Sequence, residues 1–564
     1  ADVRTRREMV SAGRSTCFAL ALGVGLAWTL NVAAQDSASR VDSPPMMSQT
    51  FDRIIAGGMV YDGSGAAGEV LDVGIRGDRI TAIGDLSAAP TREIIDARGL
   101  AVVPGFIDIH SHAVRVERET SGLFNHPESE NYLRQGVTTA IGGPDGNSWY
   151  PIETLLTAVE ETPIGINFGT FVGHNTVRAE VMGREQRAPT ADELESMVGL
   201  VDTAMREGAY GLSSGLKYIP GAYADTDEVI ALSRAAAAHD GIYITHLRDE
   251  GPGLLDSIRE TIAIGEGAGL PVQVTHHKAM GVSMWGKSEE ALALLDDANA
   301  RGIDATSDQY PYTASSTGIS VLFPDWSLEG DRAERQARMN DPEQRSRILA
   351  GIVDTLREVR TGNDLTRVVL ADCAWDRSLN GLTLKGLLER FDEPVTLESA
   401  AERVLWLETS GGCSAVYHTM DEGDVERIMR HPGTMIASDG GIFQPGPEVP
   451  HPRNYGAFAR VLGVYVRERG VLDFPTAIHK MSRMPADRMG MSDRGRLAVG
   501  AYADIAVLDP ERVVDRATFE DPHQMSEGVV HVLVNGEMAL RDGELTEVRA
   551  GRVLRSTDRV ATRP

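Results

Sequence analysis

The chain has 564 residues and 42% hydrophobic content, enough for a large buried core and too long for one small domain. Its 82 acidic and 55 basic residues leave a net charge of −27, spread along the sequence without a single acidic run. This argues against nucleic acid as a partner, because phosphate binding needs clustered Lys and Arg.

The N-terminal stretch differs from the rest. Arg4, Arg6, Arg7 and Arg14 precede the apolar run CFALALGVGLAWTL, and Asn31 to Ala34 then supply small residues before Gln35. This is the pattern of a secretory signal peptide, and the run is short for a membrane span. Residues 1–34 are therefore expected to be a signal peptide, with an uncleaved anchor as the other reading. The mature protein is expected to be secreted or periplasmic, with no membrane span. Residues 35–51 are polar and Pro/Ser-rich and read as a disordered lead-in. Cleavage would leave Cys373 and Cys413, and their spacing leaves their pairing open.

Between 52 and 104, short β-rich runs such as RIIAGGMVYDG and VLDVGIRGDRITAIG are punctuated by turn signals. The texture returns between 481 and 564, in ADIAVLDP and GVVHVLVNGEMALRDGEL, with Asn-Gly and Asp-Gly between runs. Such pairs mark hairpins, so the two chain ends are predicted to build one small β-sandwich domain together.

From 105 to 480 the texture is α/β. FIDIHSH, VTTAIGG, IGINFGTFVGH, AYGLSSGLK, GIYITH, LPVQVTHH, GIDATSDQY and GTMIASDG are short apolar runs, separated by amphipathic stretches such as TADELESMVGLVDTAMREG. Eight β-runs with helices between them predict a (β/α)8 barrel of the TIM type. A doubly wound sheet would want a Gly-rich phosphate loop after its first strand, and none follows it. Residues 313–434 lie between the seventh and eighth runs and are expected to form an inserted lid.

The active site of such a barrel lies at the C-terminal ends of its strands. The first run ends in His110-Ser-His112, where strand alternation puts both imidazoles on one face. The fourth ends at Lys217, the fifth at His246, the sixth at His276, His277 and Lys278, and the eighth at Asp439. A lone strand His is usually structural, but 14 histidines in the whole chain are too few to cluster at three strand ends by chance. Imidazole plus carboxylate is a ligand set for zinc or a similar divalent metal.

This order of residues resembles the amidohydrolase superfamily. The blocks PGFIDIHSH, GLSSGLKYIPGAYA, THLRDEG, ASDGG, HPRNYGAFARVLG and SDRGRLAVGAYADIAVLDP resemble its N-acyl-D-amino-acid deacylase (D-aminoacylase) branch, from about Asp52 to Arg555. The resemblance implies a metal-dependent hydrolase acting on the amide of N-acyl-D-amino acids or related D-amino-acid dipeptides, with Zn2+ as the expected metal, two per chain, and other divalent ions open. His110, His112 and Asp439 would hold the more buried metal, and His246 and His276 the second. Asp439 would be the general base and acid, taking a proton from metal-bound water and passing it to the leaving nitrogen. For the substrate carboxylate the resemblance points to Lys278, Arg427, Tyr310 and Ser316, and His174 is a further candidate to line the pocket.

The chain departs from the family in one respect. D-aminoacylases of the best-known kind carry a metal-binding cysteine after strand two, in a run ending GNCG, where this chain reads GGPDG with Asp145. Lys217 is therefore the expected bridge, as a CO2-derived carbamate of the kind used elsewhere in the superfamily. Asp145 in place of the cysteine, or Lys217 beside a mononuclear site, are the rival readings. Other functional readings are a dipeptidase or cyclic-amide hydrolase of the same superfamily and a non-catalytic secreted metal- or ligand-binding protein. The partner is expected to be a small molecule, and the oligomeric state is open, a homo-oligomer included.

Overall fold

The computed structural model describes residues 50–114 and 122–559. The expected signal peptide and nearly all of the lead-in lie outside the described residues. Both chain ends enter one nine-stranded sheet. Phe51–Val60, Glu69–Arg76, Arg79–Gly84, Thr91–Asp96 and Ala101–Pro104 come from the N-terminal side, and Ile505–Leu508, Val529–Val534, Glu537–Arg541 and Glu544–Leu545 from the C-terminal side. The halves meet where Ile505–Leu508 runs antiparallel to Ala101–Pro104, so the strands are hydrogen-bonded as one continuous sheet. Its apolar side is filled by Ile55, Val73, Ile75, Val102, Ile505 and Leu533. The Asn535-Gly536 and Asp542-Gly543 turns have positive φ at both residues (49° and 81°, 52° and 78°), as two-residue hairpins of type I′ require.

The barrel strands run in chain order and in parallel: Phe106–Asp108, Val137–Gly142, a third in two pieces (Asn167–Thr170 and Val172–Gly173), Gly211–Gly215, Ile242–His246, Val272–Val274, Ala305–Gln309 and Thr434–Ile436. Closure between first and last comes just past the strand ends. A parallel bridge joins Ser111 and Gly440, the His112 N–H donates to the Gly440 carbonyl (2.6 Å), and the Asp439 N–H donates to the His110 carbonyl (3.0 Å).

The outer helices follow from patterning and capping. Ala191–Arg206 starts in a capping box of Thr190 and Glu193 and buries Met197, Val201, Ala204 and Met205, a helical stripe facing the barrel. Asp225 caps Thr226–Ala237 by accepting the Glu228 N–H at 2.9 Å.

The insertion is a subdomain with its own core. Ser315–Gly318, Ser414–Tyr417 and Val368–Asp372 form a three-stranded antiparallel sheet. Helices Pro342–Thr355 and Leu397–Ser410 flank it, and Ile348, Ile352, Leu370 and Val404 fill the space between. Cys373 and Cys413 are joined by a disulfide, which ties the end of one sheet strand to the residue before another.

Candidate metal centre

Barrel closure delivers the two ends of the barrel sequence to one point. His110 is fully buried, and His112 opens towards the strand ends. Asp439 Oδ1 lies 3.0 Å from His112 Nε2 and 3.5 Å from His110 Nε2. Its other oxygen accepts from Arg453 Nη1 at 2.7 Å. Burial alone would raise the Asp439 carboxyl, but the Arg453 guanidinium and the His110 imidazole hold it well below the usual carboxylate range.

Across the barrel mouth, His246 Nδ1 and His276 Nε2 approach to 2.8 Å. Asp145 stands between the two groups. Its Oδ1 is 3.5 Å from His110 Nε2, 3.4 Å from His276 Nε2 and 3.8 Å from His246 Nδ1, and its Oδ2 is 3.5 Å from His112 Nε2. Two ligand sets result, His110, His112, Asp145 and Asp439, and Asp145, His246 and His276, each with donor atoms within 4.8 Å of one another. Both ring nitrogens of His110 and Oδ1 of Asp145 are buried without a hydrogen-bond partner. Buried polar atoms are rarely left orphaned, so this donor set fits divalent metal.

The backbone is bent to make the site. Asp145, His276 and Asp439 all have positive φ (55°, 34° and 49°), a region that costs a non-glycine residue on the order of 1 kcal/mol or more. Each is at or just past a strand end, where a left-handed residue turns its side chain inward.

Behind the histidines lie carboxylates that pattern-reading missed. Glu250, four residues after His246, has Oε1 3.1 Å from His276 Nδ1 and Oε2 3.5 Å from His246 Nε2. Asp308, on the seventh strand, accepts from the His276 N–H (2.7 Å) and lies 3.7 Å from His110 Nδ1. Carboxylates behind imidazoles fix ring orientation and tautomer. Glu250 stands in the quoted THLRDEG, and its offset of four from His246 was the available signal.

Lys217 has its ammonium paired with a carboxylate outside the two ligand sets. Its strand ends at Gly215, and the Asp145 loop packs against that end so closely that a Cβ on Gly215 would fall 2.2 Å from the Asp145 carbonyl oxygen. Lys217 is carried past the barrel and its Nζ pairs with Asp325 Oδ1 of the insertion at 3.3 Å. Asp145 takes the central place, and Tyr218 lays its ring against His246 with centroids 4.6 Å apart.

The expected carboxylate-binding residues divide. Tyr310 is buried, with its hydroxyl unpartnered and its ring 6.4 Å from that of His276. Lys278 is also buried, but its Nζ is tied to Glu250 Oε1 (2.5 Å) and His276 Nδ1 (2.7 Å). Ser316 meets the site through its carbonyl, which accepts from Arg453 Nη2 at 3.4 Å. Arg427 does not join them. It lies on the outer helix Glu422–Arg430, where Nη1 donates to Asp424 Oδ1 (2.8 Å) and Ser288 Oγ (2.7 Å). The guanidinium that does reach the site is Arg453, which lies over the Tyr310 ring at 4.9 Å while holding Asp439. It stands in the quoted HPRNYG, so the motif was visible but its arginine was passed over. His174 is sealed in an ion-pair network, Nε2 to Glu228 Oε1 at 2.8 Å with Arg178 on the other oxygen, and does not line the pocket.

A model of the amidohydrolase family matches residues 93–351 and 400–539. The chain belongs to the amidohydrolase family. Within it, the chain is 38% identical over 540 residues to D-aminoacylase of Alcaligenes xylosoxydans xylosoxydans, covering 90% of this chain and 99% of that one. It is 35% identical to the N-acyl-D-glutamate deacylase of the same organism, covering 92% and 99%. Among solved structures, a D-aminoacylase with a binuclear metal centre superposes with a TM-score of 0.75 at 35% identity, covering 90% of this chain and all of that one. The N-acyl-D-glutamate deacylase of Bordetella bronchiseptica, complexed with zinc and a phosphonate mimic of the tetrahedral intermediate, superposes with a TM-score of 0.76 at 32% identity and the same coverage. The resemblance to the D-aminoacylase branch and the barrel expected from the strand count both hold for this amidohydrolase.

Proposed function

We propose that the protein is a metal-dependent amidohydrolase that cleaves the amide of N-acyl-D-amino acids, releasing a carboxylate and a free D-amino acid. The observation that carries this is Asp145 set between two imidazole pairs, with Asp439 at the same point and a guanidinium beside it. The ions would lie among the two ligand sets, zinc being the metal this donor chemistry suits, and would supply Lewis acidity that polarises the amide carbonyl and lowers the pKa of water. Asp145, which belongs to both ligand sets, would hold both ions in this reading, in place of a carbamate on Lys217.

The chain's own residues do the rest. Asp439, kept ionised by Arg453 and His110, accepts a proton from the attacking water and returns it to the departing nitrogen. Arg453, fixed over Tyr310, presents a planar cationic fork to the α-carboxylate of the substrate, and the Tyr310 hydroxyl has no competing partner. Anchoring the carboxylate and the scissile carbonyl fixes two substituents of the carbon between them, and D would be chosen over L by the side on which the pocket wall leaves room for the third, the side chain. Export is part of the same proposal, supported by the leader pattern and by a disulfide of the kind that persists in oxidising compartments.

The test is hydrolysis by the zinc-loaded protein of paired N-acetyl-D- and N-acetyl-L-amino acids, with a D-containing dipeptide alongside. Turnover of the N-acetyl-D compounds alone is expected. Turnover of the dipeptide with none of the acetylated compounds would replace this reading by the dipeptidase one. Hydrolysis of none of them would leave the binding-protein reading.

A further inference from the structure

His451 is buried, lies outside the metal-ligand sets, and has both ring nitrogens committed. Nδ1 accepts the main-chain N–H of Arg453 at 3.0 Å, and Nε2 donates to the Ala314 carbonyl at 2.9 Å. A ring that accepts at one nitrogen and donates at the other is neutral and in one tautomer. Burial first, and then the nearby Arg453 charge, hold its pKa well below the ordinary histidine value, in keeping with that. Its edges are packed by Tyr310 (centroids 5.9 Å), Tyr312 (5.0 Å) and Phe519 (5.1 Å).

These contacts join three segments far apart in sequence. Ala314 immediately precedes the first strand of the insertion, Arg453 opens the helix that follows strand eight, and Phe519 belongs to the C-terminal region. The hydrogen bond to the Arg453 N–H runs from residue i+2 back to the side chain of residue i, as in an Asx turn, and occupies a first-turn N–H of a helix whose N-cap, Pro452, makes no side-chain bond. It sets the backbone from which the guanidinium reaches Asp439 and the Tyr310 ring.

We propose that His451 is the positioning residue for Arg453: its neutral imidazole holds the first turn of Arg453–Arg460 at the angle that places the guanidinium for the substrate carboxylate. This rests on the amidohydrolase reading above. An acceptor at the Nδ1 position is the essential feature, and the bond to Ala314 is secondary.

Asn places its side-chain oxygen near where Nδ1 stands, Gln places its amide nearer Nε2, and Leu offers neither. With the zinc-loaded enzyme and an N-acetyl-D-amino acid, His451→Leu and His451→Gln should raise KM about tenfold, the scale of one lost hydrogen bond, and should lower kcat as well, because the same guanidinium holds Asp439. His451→Asn should bring KM back to within about threefold of wild type. If His451→Leu does not fold, the Gln and Asn pair carries the same comparison. An unchanged KM in the folded Leu and Gln variants, a loss confined to kcat, or an Asn variant no better than Gln would overturn the proposal. Calorimetric binding of the same compound should follow the KM order, so inactivity of the wild type would defeat the hydrolase reading while His451 is still tested by affinity.

Discussion

The residue that decides this site is Asp145. It has two oxygens facing two imidazole pairs, an orphaned Oδ1, and imidazoles at His110 and His276 that pull its carboxyl well below the usual range against the opposing effect of burial. Asp145→Asn is expected to lower zinc content from about two ions per chain to about one or none and to cut activity on the order of a hundredfold or more, read by elemental analysis and steady-state assay. Lys217→Ala removes only a partly exposed ion pair with Asp325, so full metal content and activity within about fivefold are expected. Full loss of metal in Lys217→Ala would restore the carbamate reading. The histidines and Asp439 were legible because each ends a strand whose period announces it. Whether Asp145 or Lys217 bridges was not, because it depends on the Asp145 loop lying against Gly215, a tertiary contact with no periodic signal.

Among the elements, the barrel strands and helices were readable from alternation and caps, and the hairpins from Asn-Gly and Asp-Gly. What failed was the arginine that the resemblance pointed to. Arg427 falls on a helix of the outer layer, where it clamps Asp424 and Ser288, whereas the residues after the strand turn back over the barrel mouth and bring Arg453. The insertion was legible as a segment, but its sheet was not, since its three strands come from positions up to a hundred residues apart. Its disulfide closes a separation of 40 residues, for which loop-closure entropy predicts about 4 kcal/mol. The Cys373→Ala, Cys413→Ala double variant should accordingly show the insertion unfolding in a separate, earlier calorimetric transition, while the barrel transition stays in place. A single transition at the wild-type temperature would show that the insertion does not rely on the bond.

At the scale of the whole molecule, the barrel seam and the candidate metal centre coincide. The bonds that join first and last strands run through His110, His112, Asp439 and Gly440, so metal held by these residues would also hold the seam. Chelation of the zinc-loaded protein should lower Tm by roughly 3–4 °C, the effect of about 3–4 kcal/mol of ligand linkage on a chain of this size. Hydrogen exchange should rise first at residues 108–112 and 436–440; uniform exchange across all eight strands would show that metal does not brace the seam.

The nine-stranded sheet carries a consequence for the order of events in biosynthesis. Ala101–Pro104 meets its antiparallel neighbour only at Ile505–Leu508, roughly four hundred residues later, a separation that delays pairing until those residues have been made. A chain emerging from the ribosome therefore carries an open strand edge until Ile505–Leu508 appears, and an open edge invites mispairing. On the export proposed above, the delay would be useful: the first domain cannot finish before these strands are made, so the nascent polypeptide would stay threadable until then.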